Sequence, residues 1–118
     1  MAAERLRKAV GRRIRSIGVE VWVPDDEPIS LAIQLDNGAT FLLMCAGDGS
    51  VLVRRGRLRG LHANAEVRSI EEIVGETIES VELARDRIKL VTGRYCLSIL
   101  NRDDELDVTV MQKGSKKQ

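Results

Sequence analysis

A chain of 118 residues is long enough for one hydrophobic core and too short for two independent ones. Its 43% hydrophobic and 31% charged residues are the proportions of a soluble globular protein. A single Trp, Tyr and Phe leave the core to Ile, Leu and Val and weigh against recognition by base stacking, while a net charge of +1 lacks the strongly basic footprint of nucleic-acid binders.

No apolar run approaches the ~20 residues that span a bilayer. The start, MAAERLRKAVGRRIRSIG, is basic, but no apolar stretch follows it, so it does not read as a secretory signal. A cytoplasmic location is expected. The two cysteines, Cys45 and Cys96, sit inside apolar strand-like runs, where a free thiol acts as a small buried hydrophobe. A disulfide would require their strands to be neighbours.

Residues 2–10 are rich in Ala, Glu, Arg, Leu and Lys and predict a short N-terminal helix ending at Gly11. Its apolar stripe of Leu6, Ala9 and Val10 is too thin for a membrane-surface helix, and light packing on a sheet or a soluble arm is expected. Residues 12–23 alternate Ile17, Val19, Val21 and Val23 with Gly18, Glu20 and Trp22, the period of two that turns one side to a core. An acidic loop, residues 24–28, stops this strand between two prolines. Residues 29–35 are the second strand, with Leu31, Ile33 and Leu35 inward. Asp36-Asn37-Gly38 is a hairpin signal. Residues 39–45 and 50–55 follow as strands joined by Ala46-Gly47-Asp48-Gly49. Residues 56–68 show no clean period and read as a linker. Ser69, Glu72 and Gly75 are spaced as a capped helix over residues 69–74. Strands are expected again at residues 76–83, 88–92, 94–100 and 105–111, before a disordered tail at 112–118.

The second half repeats the first. Gly11-Arg-Arg-Ile14-Arg-Ser16-Ile17 aligns with Gly75-Glu-Thr-Ile78-Glu-Ser80-Val81, and Gly38 with Gly93. Ile33 and Leu35 then fall on Ile88 and Leu90, Leu42 and Met44 on Leu97 and Ile99, Asp48 on Asp103, and Val51 and Val53 on Leu106 and Val108. The expected fold is mainly β, a β-rich α+β domain spanning residues 1–118. Two antiparallel meanders related by internal duplication, residues 11–55 and 69–111, form a sandwich or a partly open barrel. One short helix stands at the N-terminus and another between the halves. Open edges in such a fold are often covered by a second copy, so a homodimer is expected.

The leading candidate site is the basic run containing Arg54, Arg55, Arg57 and Arg59. Closely spaced guanidinium groups on a Gly-bearing segment can grip phosphate or a carboxylate-rich partner. The bland alternative is a solvated strand end whose arginines pair with the chain's own acids. His62, the lone histidine, has Asn64 nearby but no Ser or Cys in a nucleophile motif. Two cysteines and one histidine have no zinc spacing. The acidic turns at residues 25–27 and 103–105 lack the ligand spacing of a calcium loop; they suit solvation or a basic partner. Gly47-Asp48-Gly49 is too short to cradle a phosphate and reads as turn chemistry. No catalytic residue, cofactor or metal is expected.

The paired G-x-x-I-x-S-[IV] units, each followed by a strand, a Gly turn and an alternating strand, resemble those of small uncharacterised bacterial β-rich families, some of them immunity proteins of toxin systems. The resemblance spans about residues 11–110 and implies a non-enzymatic bacterial protein that works by binding. Nucleic-acid or anionic-ligand binding through the arginines is the alternative.

Overall fold

The computed structural model describes residues 2–56 and 65–113. It is mainly β, with two antiparallel sheets and one short helix. The first sheet has the order β4-β3-β2-β1-β5, with β1 Ile14–Trp22, β2 Glu27–Leu35, β3 Thr40–Cys45, β4 Val51–Arg55 and β5 Ala65–Ser69. The second is a meander of β6 Ile78–Leu83, β7 Arg87–Thr92, β8 Tyr95–Arg102 and β9 Glu105–Gln112. Neither sheet closes into a barrel among the described residues. β9 lies against β2 and β3, and β8 against β4. Both sheets feed one aliphatic core, in which Leu31, Leu43, Leu90, Leu97 and Ile99 have no exposed surface.

Period-two patterning sets most of these strands, and bulges set the rest. Ile14 and Ile17 are both buried although three residues apart, because a register shift between Ile14 and Ser16 inserts Arg15 as an extra residue. The same shift between Ile78 and Ser80 lets Ile78 and Val81 share the core. The two bulged segments also pair with each other. Gly11 N donates to Ile78 O and Gly75 N to Ile14 O, both at 2.8 Å; Ile14 N donates to Glu76 O at 2.8 Å and Ile78 N to Arg12 O at 2.9 Å. Exchanging each residue with its aligned counterpart maps these four bonds onto one another, and Arg13 and Thr77 bridge at the centre. Gly11 and Gly75 enter this crossing at φ of 87° and 92°, a left-handed backbone that favours glycine.

The helix is a 3₁₀ helix over Ala2–Ala9. Residues three apart eclipse in that geometry, so Leu6 and Ala9 are fully buried and Ala3 packs against the same core, while Val10 is exposed. The helix lies against β4 and β6, an edge strand of each sheet. It is thus a plug in the core, not a loosely attached arm.

Several expectations change. Residues 69–74 do not form the second helix. Ser69 ends β5, and residues 72–75 are a turn in which Val74 N donates to Glu71 O and Glu76 N to Ile73 O, each at 3.2 Å. The Ser69 hydroxyl bonds the Glu71 carboxylate, not the capping-box Glu72. Six residues cannot offset helix nucleation, whereas fully buried Ile73 and the Gly75 crossing hold the turn. Of the expected linker at 56–68, residues 57–64 lie outside the described residues and residues 65–68 belong to β5, which pairs along β1 from Gly18↔Ser69 to Trp22↔Ala65. Pro28 lies inside β2, opposite Val21, where a register shift after Glu20 accommodates it. Val23 is exposed in the turn that follows β1. At the other end, Gln112 belongs to β9 and Lys113 N donates to Arg94 O at 2.7 Å.

The matching of the halves also moves. Phe41 and Leu43 face the core, not Leu42 and Met44, and they occupy the places of Leu97 and Ile99. Leu35 stands opposite Ile14 as Thr92 stands opposite Ile78. The β2–β3 and β7–β8 turns differ in length, and a slip of one residue exchanges the faces of a strand.

Candidate functional site

The outer face of the five-stranded sheet carries the site. Its register aligns Gly18 with Ala32, and Ser16 with Gln34, which in turn opposes Thr40. Two small side chains at the middle of adjacent strands make a floor, and longer polar ones stand around it. The result is an open groove of about 870 Å³ whose lining includes Ser16, Gly18, Ala32, Gln34, Thr40, Arg55 and Ser69. The Ser16 hydroxyl lies 3.5 Å from Gln34 Oε1. The walls therefore offer hydroxyl and amide groups.

Arg54 and Arg55 close β4 and both are exposed. Adjacent strand residues point to opposite sides. Arg54 stands beside Leu42 on the outer face, while Arg55 is paired with Phe41 and places its guanidinium carbon 6.0 Å from that ring's centroid. Arg55 and Gly56, where the strand ends, border the groove at its rim, while the Arg55 guanidinium stays with Phe41. Neither arginine makes an ion pair among the described residues, and both stand exposed at the strand end. Arg57 and Arg59, and with them His62 and Asn64, lie outside the described residues.

Several other cations and acids pair with one another. Arg68 bonds Asp26 and Glu66, each at 2.7 Å, and those bonds raise its pKa. Arg94 bonds Glu76 at 2.8 Å; the hydrogen bond from Arg94 is the main reason the Glu76 carboxyl lies below the usual range. In the Gly47-Asp48-Gly49 turn, Asp48 Oδ1 accepts from the Ser50 hydroxyl at 2.6 Å and from Ser50 N at 3.0 Å, which lowers the Asp48 pKa. Arg85 adds a contact at 3.5 Å. This is turn chemistry tied to the β6–β7 turn.

Asn101 is buried beside it. Its amide donates to Ser50 O at 2.8 Å and Ala46 O at 3.2 Å, and its Oδ1 accepts from Asp104 N at 2.9 Å. Nearby, burial and then the Asp104 carboxylate push the Cys45 thiol up. Cys45 and Cys96 are free and lie in different sheets. No group of three His, Cys, Asp or Glu suited to a metal occurs among the described residues, and none of their helices is long and apolar enough to cross a membrane.

The groove residues were legible only as outward positions of alternating strands. Ser16, Gln34 and Thr40 form no motif, and only their strand register brings them together. Comparison with protein-family models, with curated proteins and with solved structures finds no match for this chain.

Proposed function

We propose that this is a small, non-enzymatic bacterial protein-binding module acting in the cytoplasm, with an immunity or regulatory role as its most concrete form. The observation that carries the reading is the open groove on a sheet face. Its small floor at Gly18 and Ala32 lets a partner's chain approach the sheet, and Ser16, Gln34, Thr40 and Ser69 supply hydrogen bonds. A duplicated strand–turn–strand ancestor and a two-sheet sandwich are part of this proposal. The paired bulges at Ile14 and Ile78 and the exchangeable bonds between them support both.

The test is partner capture by tagged protein in high salt, with a groove-filling variant, Ala32→Trp, alongside. Loss of a salt-tolerant partner in a variant that stays folded is the expected result. A partner retained equally by that variant places recognition elsewhere and refutes the groove.

The second reading is nucleic-acid or anionic-ligand binding, favoured by the exposed Arg54 and Arg55 and their lack of ion pairs among the described residues. It predicts a shift of DNA or RNA at low salt that moderate salt abolishes. Binding that survives joint alanine replacement of Arg54, Arg55, Arg57 and Arg59 rules it out.

A further inference from the structure

We propose that β5 is a self-complementary edge through which two copies of this chain form a dimer. Four strands stand at sheet edges: β4, β5, β6 and β9. The N-terminal helix lies against β4 and β6. Among the described residues, β5, with the sequence AEVRS, and β9 remain.

The direction of β5's free backbone groups follows from its pairing. Ile70 N donates to Ile17 O at 3.0 Å, in line with the β1–β5 register. Hydrogen-bonded and non-bonded pairs alternate in an antiparallel ladder. Arg68 opposite Val19 and Glu66 opposite Val21 therefore turn their N–H and C=O toward β1. Ala65, Val67 and Ser69 turn theirs outward. A second β5, antiparallel and centred on Val67, places Val67 against its own copy and Ala65 against Ser69. All the outward groups are then paired. In the intervening non-bonded positions, where side chains approach most closely, Glu66 comes opposite Arg68 of the other copy, twice, so that the Glu66–Arg68 pair within each chain becomes a four-charge cluster across the junction. Val67, 54% exposed in one chain, is covered at the centre.

β9 has no such self-match, for ELDVTVMQ holds no cation. The dyad stands perpendicular to the sheet, so the two grooves open on one face, each lined by a Val67 beside the junction. The dimer does not depend on the groove binding anything.

Sedimentation velocity on the full chain tests it, at about 100 µM, where even a weak dimer is populated. The wild type is expected at twice 13.1 kDa. Val67→Pro removes an outward N–H without touching the pairing to β1 and is expected to give the 13.1 kDa monomer. Arg68→Glu, which sets like charges opposite each other, is expected to do the same. The Glu66→Arg/Arg68→Glu double variant restores the match between the copies and is expected to recover the dimer, with Asp26→Asn carried in both charge variants because Asp26 bonds Arg68 within one chain, so the proposal does not hang on the proline variant folding. A monomeric wild type, a dimer indifferent to Val67→Pro and Arg68→Glu, or a double variant that stays monomeric overturns the proposal.

Discussion

Replacing Asn101 tests whether the far end of the molecule is held by one side chain. Asn101 is 6% exposed and makes three side-chain hydrogen bonds, two to carbonyls of the β3–β4 turn and one from the β8–β9 turn. Its backbone N–H adds a fourth link, to Asp86 O at 2.8 Å, in the β6–β7 turn. Asn101→Ala keeps that backbone bond and removes the other three. Each is worth about 1 kcal/mol net, and more where the abandoned partner stays dry. Water can reach Asp104 N on its exposed turn, so the full sum is not expected; a loss of about 2–3 kcal/mol is. In a chain of this length that lowers Tm by about 10 °C. Asn101→Asp separates chemistry from volume. It keeps the acceptor for Asp104 N but turns a carboxylate oxygen toward two carbonyls. Its folded pKa must then rise above the unfolded value, so Asn101→Asp is the less stable variant at neutral pH and regains stability on acidification, as the protonated acid donates again. Guanidinium unfolding at pH 7 and at acid pH measures both effects. An Asn101→Ala loss below about 0.5 kcal/mol, or an Asn101→Asp variant as stable as wild type at pH 7, refutes the reasoning.

Four further outcomes follow from the same structure. Gly11→Ala and Gly75→Ala put a Cβ on left-handed backbone at equivalent points of the crossing, and each is expected to cost about 1–2 kcal/mol by chemical denaturation; a large disparity contradicts their equivalence. Asp103 and Asp104 turn the β8–β9 hairpin at φ of 54° and 68°, so Asp103→Asn with Asp104→Gly is expected to raise stability by about 0.5–1 kcal/mol, and a lower Tm would count against that turn assignment. The Glu76 carboxyl is lowered by Arg94, so its stabilising effect is full above the ordinary carboxylate range and is lost as pH falls through the lowered value. The stability gap between wild type and Glu76→Gln should therefore close on acidification below about pH 4, and a gap that widens there has the wrong sign. Leu6→Ala empties the plug between β4 and β6 and is expected to cost about 2–5 kcal/mol, whereas a surface arm would lose almost nothing in the same unfolding experiment.

The sequence by itself determined the mainly β character, eight of the nine strands among the described residues and the positions of their turns. Alternating Ile, Leu and Val between Gly, Asn and Asp clusters leave few other solutions, and the strand period is local. It also showed Gly11 and Gly75, each followed by Ile three residues on, as a recurring motif, but both glycines read there as helix ends; that the two segments pair is a tertiary fact. Tertiary structure alone decided the rest. β5 has no apolar alternation; it is a strand because β1 offers it a free edge. The Ser69 to Gly75 stretch carries helix-cap residues, but a buried Ile73 and the pairing beyond it outweigh six residues of helix propensity. Asn101 reads as a turn residue until the folded chain brings three turns around it. The arginines divide in the same way. Composition placed Arg54 and Arg55 in a basic run, but strand geometry sends them to opposite faces, Arg54 to the outer face and Arg55 over Phe41. Charge is visible in a sequence; the neighbours that neutralise it or leave it exposed come from residues far along the chain.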